Sequence, residues 1–207
     1  MSKDKLKKSK KRFFPNILTI LNMFLGFIAI ILIMKNDYIN AGLLILLAGL
    51  MDIFDGKIAR LLGISSKFGV EFDSLADTVS FCVAPSVLVY NLYVKELPFP
   101  LGLIISFIPL ICGAVRLAKY NLETDEVSRK SYFIGLSTPI STVTILAFMF
   151  FNNQIIGQGF YGDPTIALCL VTILGILMLS PIHFPKAPLI TFRSTSTNSI
   201  LLLILMI

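Results

Sequence analysis

Four aspartates recur at short intervals in the first half of this 207-residue chain: Asp52, Asp55, Asp73 and Asp77. In a helix, residues three or four apart lie on one face, so each pair presents two carboxylates side by side. Four clustered carboxylates repel one another unless cations join them, and hard oxygen ligands favour Mg²⁺ or Mn²⁺ over zinc. The spacing therefore predicts a site for one or two divalent cations.

Small and basic residues accompany the aspartates. Gly56 and Ala59 lie near the first pair on one helix face and would leave room for a bulky ligand, whereas Arg60 can donate several hydrogen bonds to a phosphate. Gly69 stands one turn before the second pair. Two divalent cations in such a place can clamp a diphosphate and stabilise a leaving phosphate. An ion-pair patch is the structural alternative, but Arg60 and Lys67 alone cannot balance four aspartates.

The rest of the chain has the composition of a membrane protein. Hydrophobic residues make up 56% of it and charged residues only 14%, and apolar stretches of about 18 residues or longer recur. This pattern predicts an all-α, polytopic membrane helical bundle of about six transmembrane helices, at Ile17 to Met34, 40–62, 70–94, 100–121, 134–152 and 164–181. A last apolar run, from Ile200 to Ile207, is too short to cross the membrane alone. Whether it forms an extra C-terminal helix is left undecided by the sequence.

Basic residues are distributed asymmetrically along the chain. With the N-terminus inside, sixteen of the 18 lysines and arginines fall in inner segments, and only Lys35 and Lys95 fall outside. The net charge of +6 then faces anionic lipid, so no nucleic-acid partner is expected. The prediction is a multi-pass protein of the cell membrane with a basic cytoplasmic segment (1–15) and one membrane domain (16–207). Its metal site would face the cytoplasm.

Taken together, the eight fixed positions read D-x2-D-G-x2-A-R-x8-G-x3-D-x3-D from Asp52 to Asp77. This pattern matches the signature of the CDP-alcohol phosphatidyltransferase family, and the chain is identified as resembling that family. The resemblance implies that the four aspartates bind two divalent cations and that Asp77 also acts as general base. It also implies a homodimer and a CDP site lined by Gly56, Ala59, Arg60 and Gly69.

Shorter strings are similar to the branch of the family that makes phosphatidylserine. They are FPNILTILN at 14–22, FDSLADTVSFCVAP at 72–85, RLAKYN at 116–121 and GLSTP at 135–139, where Ser137 replaces the usual proline of the branch. The branch implies CDP-diacylglycerol and L-serine as substrates and CMP as a product. Asn16, Thr19 and Asn22, which open the first helix, would contact the nucleotide or the metal site, or would cap and pack that helix.

The inner end of the fourth predicted helix carries candidates for binding the acceptor. Arg116 is predicted to pair with the serine carboxylate, with Lys119 and Asn121 nearby; positive-inside anchoring is the alternative. The single histidine, His183, lies in a predicted loop, which disfavours a covalent route through histidine. Two rival functions remain open. A family member using glycerol phosphate or inositol phosphate should want more basic residues, and a divalent-cation transporter would need polar groups through the membrane.

Overall fold

The described part of the protein is built from six helical units. The computed structural model describes the backbone of residues 3–62, 67–95, 97–127, 132–157 and 159–185, and the side chains of 17–58, 68–95, 97–122, 135–157 and 159–182. The elements in chain order are α1 (Lys3–Met34), α2 (Tyr38–Leu62), α3 (Lys67–Thr78), a π-helical turn (Val79–Val83), α4 (Ala84–Val89), a second π-helical turn (Tyr90–Val94), α5 (Phe99–Val127), β1 (Tyr132–Ile134), α6 (Thr138–Ile155), α7 (Pro164–Leu179) and β2 (His183–Pro185). The segments from α3 to the second π-helical turn form one continuous helix, the third helix of the bundle.

Four of the described helices are long and apolar enough to cross a membrane: Ile17–Met34, Tyr38–Ile58, Phe68–Val94 and Phe99–Leu122. Large apolar side chains such as Phe24, Leu50 and Ile104 are exposed on their outer faces, as expected for surfaces that contact lipid tails rather than water. α6 and α7 are shorter, with 18 and 16 residues, and pack against the longer helices. The all-α membrane bundle is therefore confirmed, with four full-length spans and two shorter helices.

Two helices extend beyond the predicted spans. α1 begins at Lys3, so the basic N-terminal segment is helical and continuous with the first span. α5 continues to Val127, beyond the predicted end at residue 121. Hydropathy marks where apolar sequence ends, whereas lysine, glutamate and leucine continue a helix readily in polar surroundings. The run from Ile200 to Ile207 lies outside the described residues.

A π-helical turn follows the last aspartate of the motif. Pro85 has no N–H group, so the carbonyl of Phe81 lacks the α-helical donor four residues further on. The hydroxyl of Thr142 in α6 donates to that carbonyl at 2.9 Å. Turns of this kind often occur beside functional sites, and this one joins the third helix to α6 immediately beyond the aspartates.

α1 packs closely against both helices that carry aspartates. A Cβ atom on Gly26 would lie 2.8 Å from the Cα of Ser80, so this approach depends on glycine. The hydroxyl of Ser80 donates to the backbone carbonyl of Asn22 at 3.0 Å. Small residues let membrane helices approach closely enough for such bonds. These contacts hold the part of α1 around Asn22 beside α2 and α3.

A short antiparallel strand pair, which the sequence did not predict, joins the segment before α6 to the segment after α7. β1 pairs with β2 so that Phe133 lies opposite Phe184. The N–H of Gly135 donates to the carbonyl of Ile182 at 2.9 Å, and its φ of 73° favours glycine. These contacts hold the turn from which α6 starts, and they fix the position of Thr138.

Candidate active site

The aspartates of α2 and α3 converge beside α1, which packs against both of these helices. One carboxylate oxygen from each of Asp52, Asp55 and Asp73 lies within 4.8 Å of the others. Asp55 is only 4% exposed, and the other two are half-buried. The helical spacing in the sequence puts Asp52 and Asp55 on one face of α2, and the packing of both helices against α1 brings Asp73 of α3 to them.

Asp77 lies one turn beyond Asp73 on α3 and is 9% exposed. It lines the same cavity as Asp52 and Asp73. Within the described residues, however, the group of three whose oxygens meet within 4.8 Å does not include it. Asp77 thus stands at the side of the cluster, where its carboxylate faces the cavity next to the other acids.

Two polar residues of α1 donate hydrogen bonds to the aspartates. Oγ1 of Thr19 donates to Oδ2 of Asp55 at 2.7 Å, and Nδ2 of Asn22 donates to Oδ1 of Asp77 at 3.2 Å. Both side chains are buried, Thr19 being 4% and Asn22 0% exposed. Of the roles open to Thr19, this geometry favours contact with the metal-site residues, and a contact with CDP stays a prediction.

The donor set of the cluster suits a divalent cation. Oδ1 of Asp73 and Oδ1 of Asn22 are buried oxygens without a hydrogen-bond partner. Burying an oxygen without a hydrogen-bond partner costs free energy, and a bound cation or a water on that cation would supply the missing partner. Because the described cluster consists of carboxylates without His or Cys ligands, Mg²⁺ or Mn²⁺ fits it better than zinc.

A polar cavity of about 260 Å³ opens beside the cluster. Arg116 of α5 and Thr138 of α6 line it together with three of the aspartates. Nε of Arg116 and Oγ1 of Thr138 are both buried without a hydrogen-bond partner. A guanidinium and a set of carboxylates therefore share one cavity, which can receive a ligand that carries a positive and a negative group.

The lining of the cavity also contains a hydrogen-bond network between α3 and α5. Ser74 donates to Oδ1 of Asn121 at 3.2 Å, and Nδ2 of Asn121 lies 3.0 Å from Oγ of Ser74 and 3.2 Å from Oε2 of Glu71. Asn121 is therefore brought to the site as the sequence suggested. Its amide is already engaged with α3, so it orders the wall.

The remaining predicted site residues lie in different surroundings. Gly56 directly follows Asp55, and Gly69 lies one turn before Asp73; both are half-buried. Lys119 is exposed and is not among the residues that line the cavity, so the structure does not bring it to Arg116's side of the site. The side chains of Asn16, Ala59 and Arg60 lie outside the described residues.

Sequence reasoning did not assign Ser74, Tyr120 or Thr138 to the site, although all three line the cavity. A signal existed for two of them. Tyr120 lies in the RLAKYN string and Thr138 in the GLSTP string, which served only as marks of resemblance. Asn22 was among the residues predicted to contact the nucleotide or the metal site, and it donates to Asp77; which aspartate it contacts depends on how α1 packs.

An apolar groove of about 330 Å³ adjoins the cluster at Asp52. Leu50 and Ile53 of α2 line it together with Phe81 and Val143. Leu50 and Ile53 are each 51% exposed, so the groove reaches the apolar outer surface of the bundle. The polar cavity is thus connected to a surface that contacts lipid.

Comparison with known proteins agrees with the motif. The family model described as CDP-alcohol phosphatidyltransferase matches residues 12–180. The chain is 37% identical over 175 residues to the CDP-diacylglycerol–serine O-phosphatidyltransferase of Helicobacter pylori (strain J99), covering 84% of this chain and 72% of that protein. It is 35% identical over 173 residues to the protein of that name from Bacillus subtilis (strain 168), covering 84% and 90%. Its identity to the archaetidylserine synthase of Methanothermobacter thermautotrophicus is 32% over 174 residues, covering 83% and 69%. The family match includes every helix that contributes to the site, and the chain belongs to the CDP-alcohol phosphatidyltransferase family of enzymes.

Proposed function

We propose that this enzyme transfers the phosphatidyl group of CDP-diacylglycerol to L-serine, releasing CMP and forming phosphatidylserine. The observation that carries the proposal is the cavity in which Asp52, Asp73 and Asp77 face Arg116. Relatives named for transfer to serine support the choice of acceptor.

Asp52, Asp55, Asp73 and Asp77 would hold two divalent cations, Mg²⁺ or Mn²⁺. When bound, the cations supply charge stabilisation to the diphosphate and to the leaving CMP. The unpartnered Oδ1 of Asp73 and the oxygen-only character of the cluster support this assignment. Gly56, Ala59, Arg60 and Gly69 follow the family motif and are proposed to line the CDP site with Asn16 and Thr19.

Asp77 is proposed to be the general base. The hydroxyl oxygen of serine forms a bond to the β-phosphorus, which carries the lipid, while the bond from that phosphorus to CMP breaks. Asp77 accepts the hydroxyl proton, because it lies on the cavity wall that an acceptor would occupy. The donation from Asn22 uses one lone pair of Oδ1, so the carboxylate keeps further lone pairs for a cation and for the proton.

The acceptor pocket suits a small zwitterion. Among the described lining residues, Arg116 is the single basic side chain, which matches one carboxylate rather than a phosphate that would carry more charge. A guanidinium can hold a carboxylate through two parallel hydrogen bonds. The carboxylates on the other walls suit the ammonium group of serine.

The donor is proposed to enter from the bilayer. The groove beside Asp52 offers an apolar surface for acyl chains, while the diphosphate lies at the aspartates. The positive-inside distribution supports a location of this end of the bundle at the cytoplasmic face of the cell membrane, where serine would reach the lipid donor. A homodimer remains the expectation from the family.

An acceptor panel tests the proposal. The purified enzyme receives CDP-diacylglycerol, Mg²⁺ or Mn²⁺, and either L-serine, glycerol 3-phosphate or inositol phosphate, and CMP release is measured. We expect release with L-serine and a lipid product that carries a primary amine, and none with Asp55→Asn. Release only with a phosphate-bearing acceptor would refute the serine assignment, and release in the Asp55→Asn variant at the wild-type rate would refute the site. A parallel assay with a CDP-activated ether lipid in place of CDP-diacylglycerol shows whether the enzyme prefers the ether-lipid donor.

A further inference from the structure

α1 contributes a buried hydrogen bond to one aspartate from each half of the motif. We propose that Thr19 and Asn22 are positioning residues, Thr19 for Asp55 and Asn22 for Asp77. They set the orientation of these carboxylates before a cation binds. The inference rests on the proposed metal site and assigns it a third supporting helix.

In both contacts a side chain of α1 donates a hydrogen bond to one carboxylate oxygen. Thr19 and Asn22 are three residues apart and therefore lie on one face of α1. Their donor atoms lie 2.7 Å from Asp55 and 3.2 Å from Asp77. Each bond uses one oxygen of its carboxylate. A carboxylate has about four lone-pair sites, so acceptor capacity remains for a cation or a substrate proton.

Physical chemistry explains why such contacts matter here. Asp55 and Asp77 stand close to two further carboxylates, so without a donor each side chain would turn away from its neighbours. A hydrogen bond to a charged acceptor in a buried place is strong and directional. Mutation of the residues that hydrogen-bond to metal ligands typically lowers the affinity for the metal by about ten- to a hundredfold.

The position of α1 is itself fixed. Ser80 donates to the backbone carbonyl of Asn22, and Gly26 allows the two helices to touch at this level. Asn22 therefore cannot move away from Asp77 without breaking a second contact.

Packing alone does not explain an asparagine at position 22. Its side chain is 0% exposed, and its Oδ1 has no hydrogen-bond partner. An apolar side chain of the same size would fill the space without leaving a buried polar atom unsatisfied. The bond to Asp77 is the interaction that only a polar residue supplies.

Direct Mn²⁺ titration of the purified protein tests the inference without reference to turnover. Thr19→Val and Asn22→Leu remove the donors at nearly constant volume, and Thr19→Ser keeps a hydroxyl. Thr172→Val and Asn152→Leu are the matched controls, because these side chains donate to backbone carbonyls within their own helices. The increase in melting temperature on adding Mn²⁺ is measured within each variant, so a general loss of stability does not enter the comparison.

We expect the Mn²⁺ dissociation constant to rise about tenfold or more in Thr19→Val and Asn22→Leu, while Thr19→Ser and both controls stay within about twofold of the wild type. In turnover, Asn22→Leu should lower kcat more than it raises the KM for serine. Unchanged Mn²⁺ affinity in both donor-free variants, or an equal loss in the controls, would overturn the inference alone. A wild type that binds no Mn²⁺ would overturn the proposed metal site with it.

Discussion

Replacing Arg116 by alanine gives the sharpest test of how the enzyme selects its acceptor. Arg116 is partly buried, lines the cavity with the aspartates and has an Nε without a hydrogen-bond partner. If the guanidinium holds the serine carboxylate, Arg116→Ala removes that pairing and leaves the contacts of the lipid donor in place. The KM for serine should therefore rise much more than the KM for CDP-diacylglycerol.

The size of the effect follows from the kind of bond that is lost. A hydrogen-bonded pair between charged groups contributes about 1.5 to 3 kcal/mol, which corresponds to roughly ten- to a hundredfold in affinity. Because Arg116 is only partly buried, water screens the charge, and we expect the lower part of this range. Arg116→Lys should restore part of the loss, since an ammonium keeps the charge but lacks the planar fork.

The assay measures CMP release while serine and CDP-diacylglycerol are varied separately. Lys119→Ala is the matched control, because Lys119 lies on the same helix but is exposed and outside the cavity lining. Its KM for serine should stay within about twofold of the wild type. Equal rises in both KM values for Arg116→Ala would show that Arg116 acts through the charge of the aspartate cluster. An unchanged KM for serine would remove Arg116 from acceptor binding.

Three further outcomes are expected. Excess chelator should abolish CMP release, and Mg²⁺ or Mn²⁺ should restore it; full activity under chelation would contradict the metal site. Asp77→Asn should lower kcat by several orders of magnitude and retain part of the CDP-diacylglycerol binding, because the amide cannot accept the proton; near-normal turnover would exclude Asp77 as base. In a background without native cysteines, Lys35→Cys and Lys95→Cys should react with an impermeant reagent from outside, whereas Lys119→Cys should be protected. The reverse labelling pattern would invert the topology.

The two aspartate pairs could be predicted from sequence because each pair depends on local helix geometry. The spacing from Asp52 to Asp55 and from Asp73 to Asp77 fixes a helix face, and the ends of apolar stretches fix depth in the membrane. Depth alone could not separate Arg116 from Lys119, which share the inner end of α5. Residues three apart differ by about 60° in direction around a helix, and only the packing of α5 shows which of the two enters the cavity.

The long-range partners could not be predicted in the same way. Thr19 and Asp55 are 36 positions apart, and Ser74 and Asn121 are 47 apart. Which residues meet over such distances depends on how helices rotate against each other. In α6, the position of Thr138 also depends on the pairing of β1, before α6, with β2, after α7, and two three-residue strands have no distinct periodicity in the sequence.

The same hydrogen bonds serve the site and the assembly of the bundle. In a bilayer, apolar side chains gain little by contacting another helix instead of lipid, so helices associate through close packing and polar contacts worth about 0.6 kcal/mol each on average. The contacts of Thr19 with Asp55 and of Asn22 with Asp77 join α1 to α2 and α3, and Thr142 joins α6 to the third helix. Together these bonds hold four helices around one cavity, so the arrangement that orients the carboxylates also favours the packed bundle over separate helices.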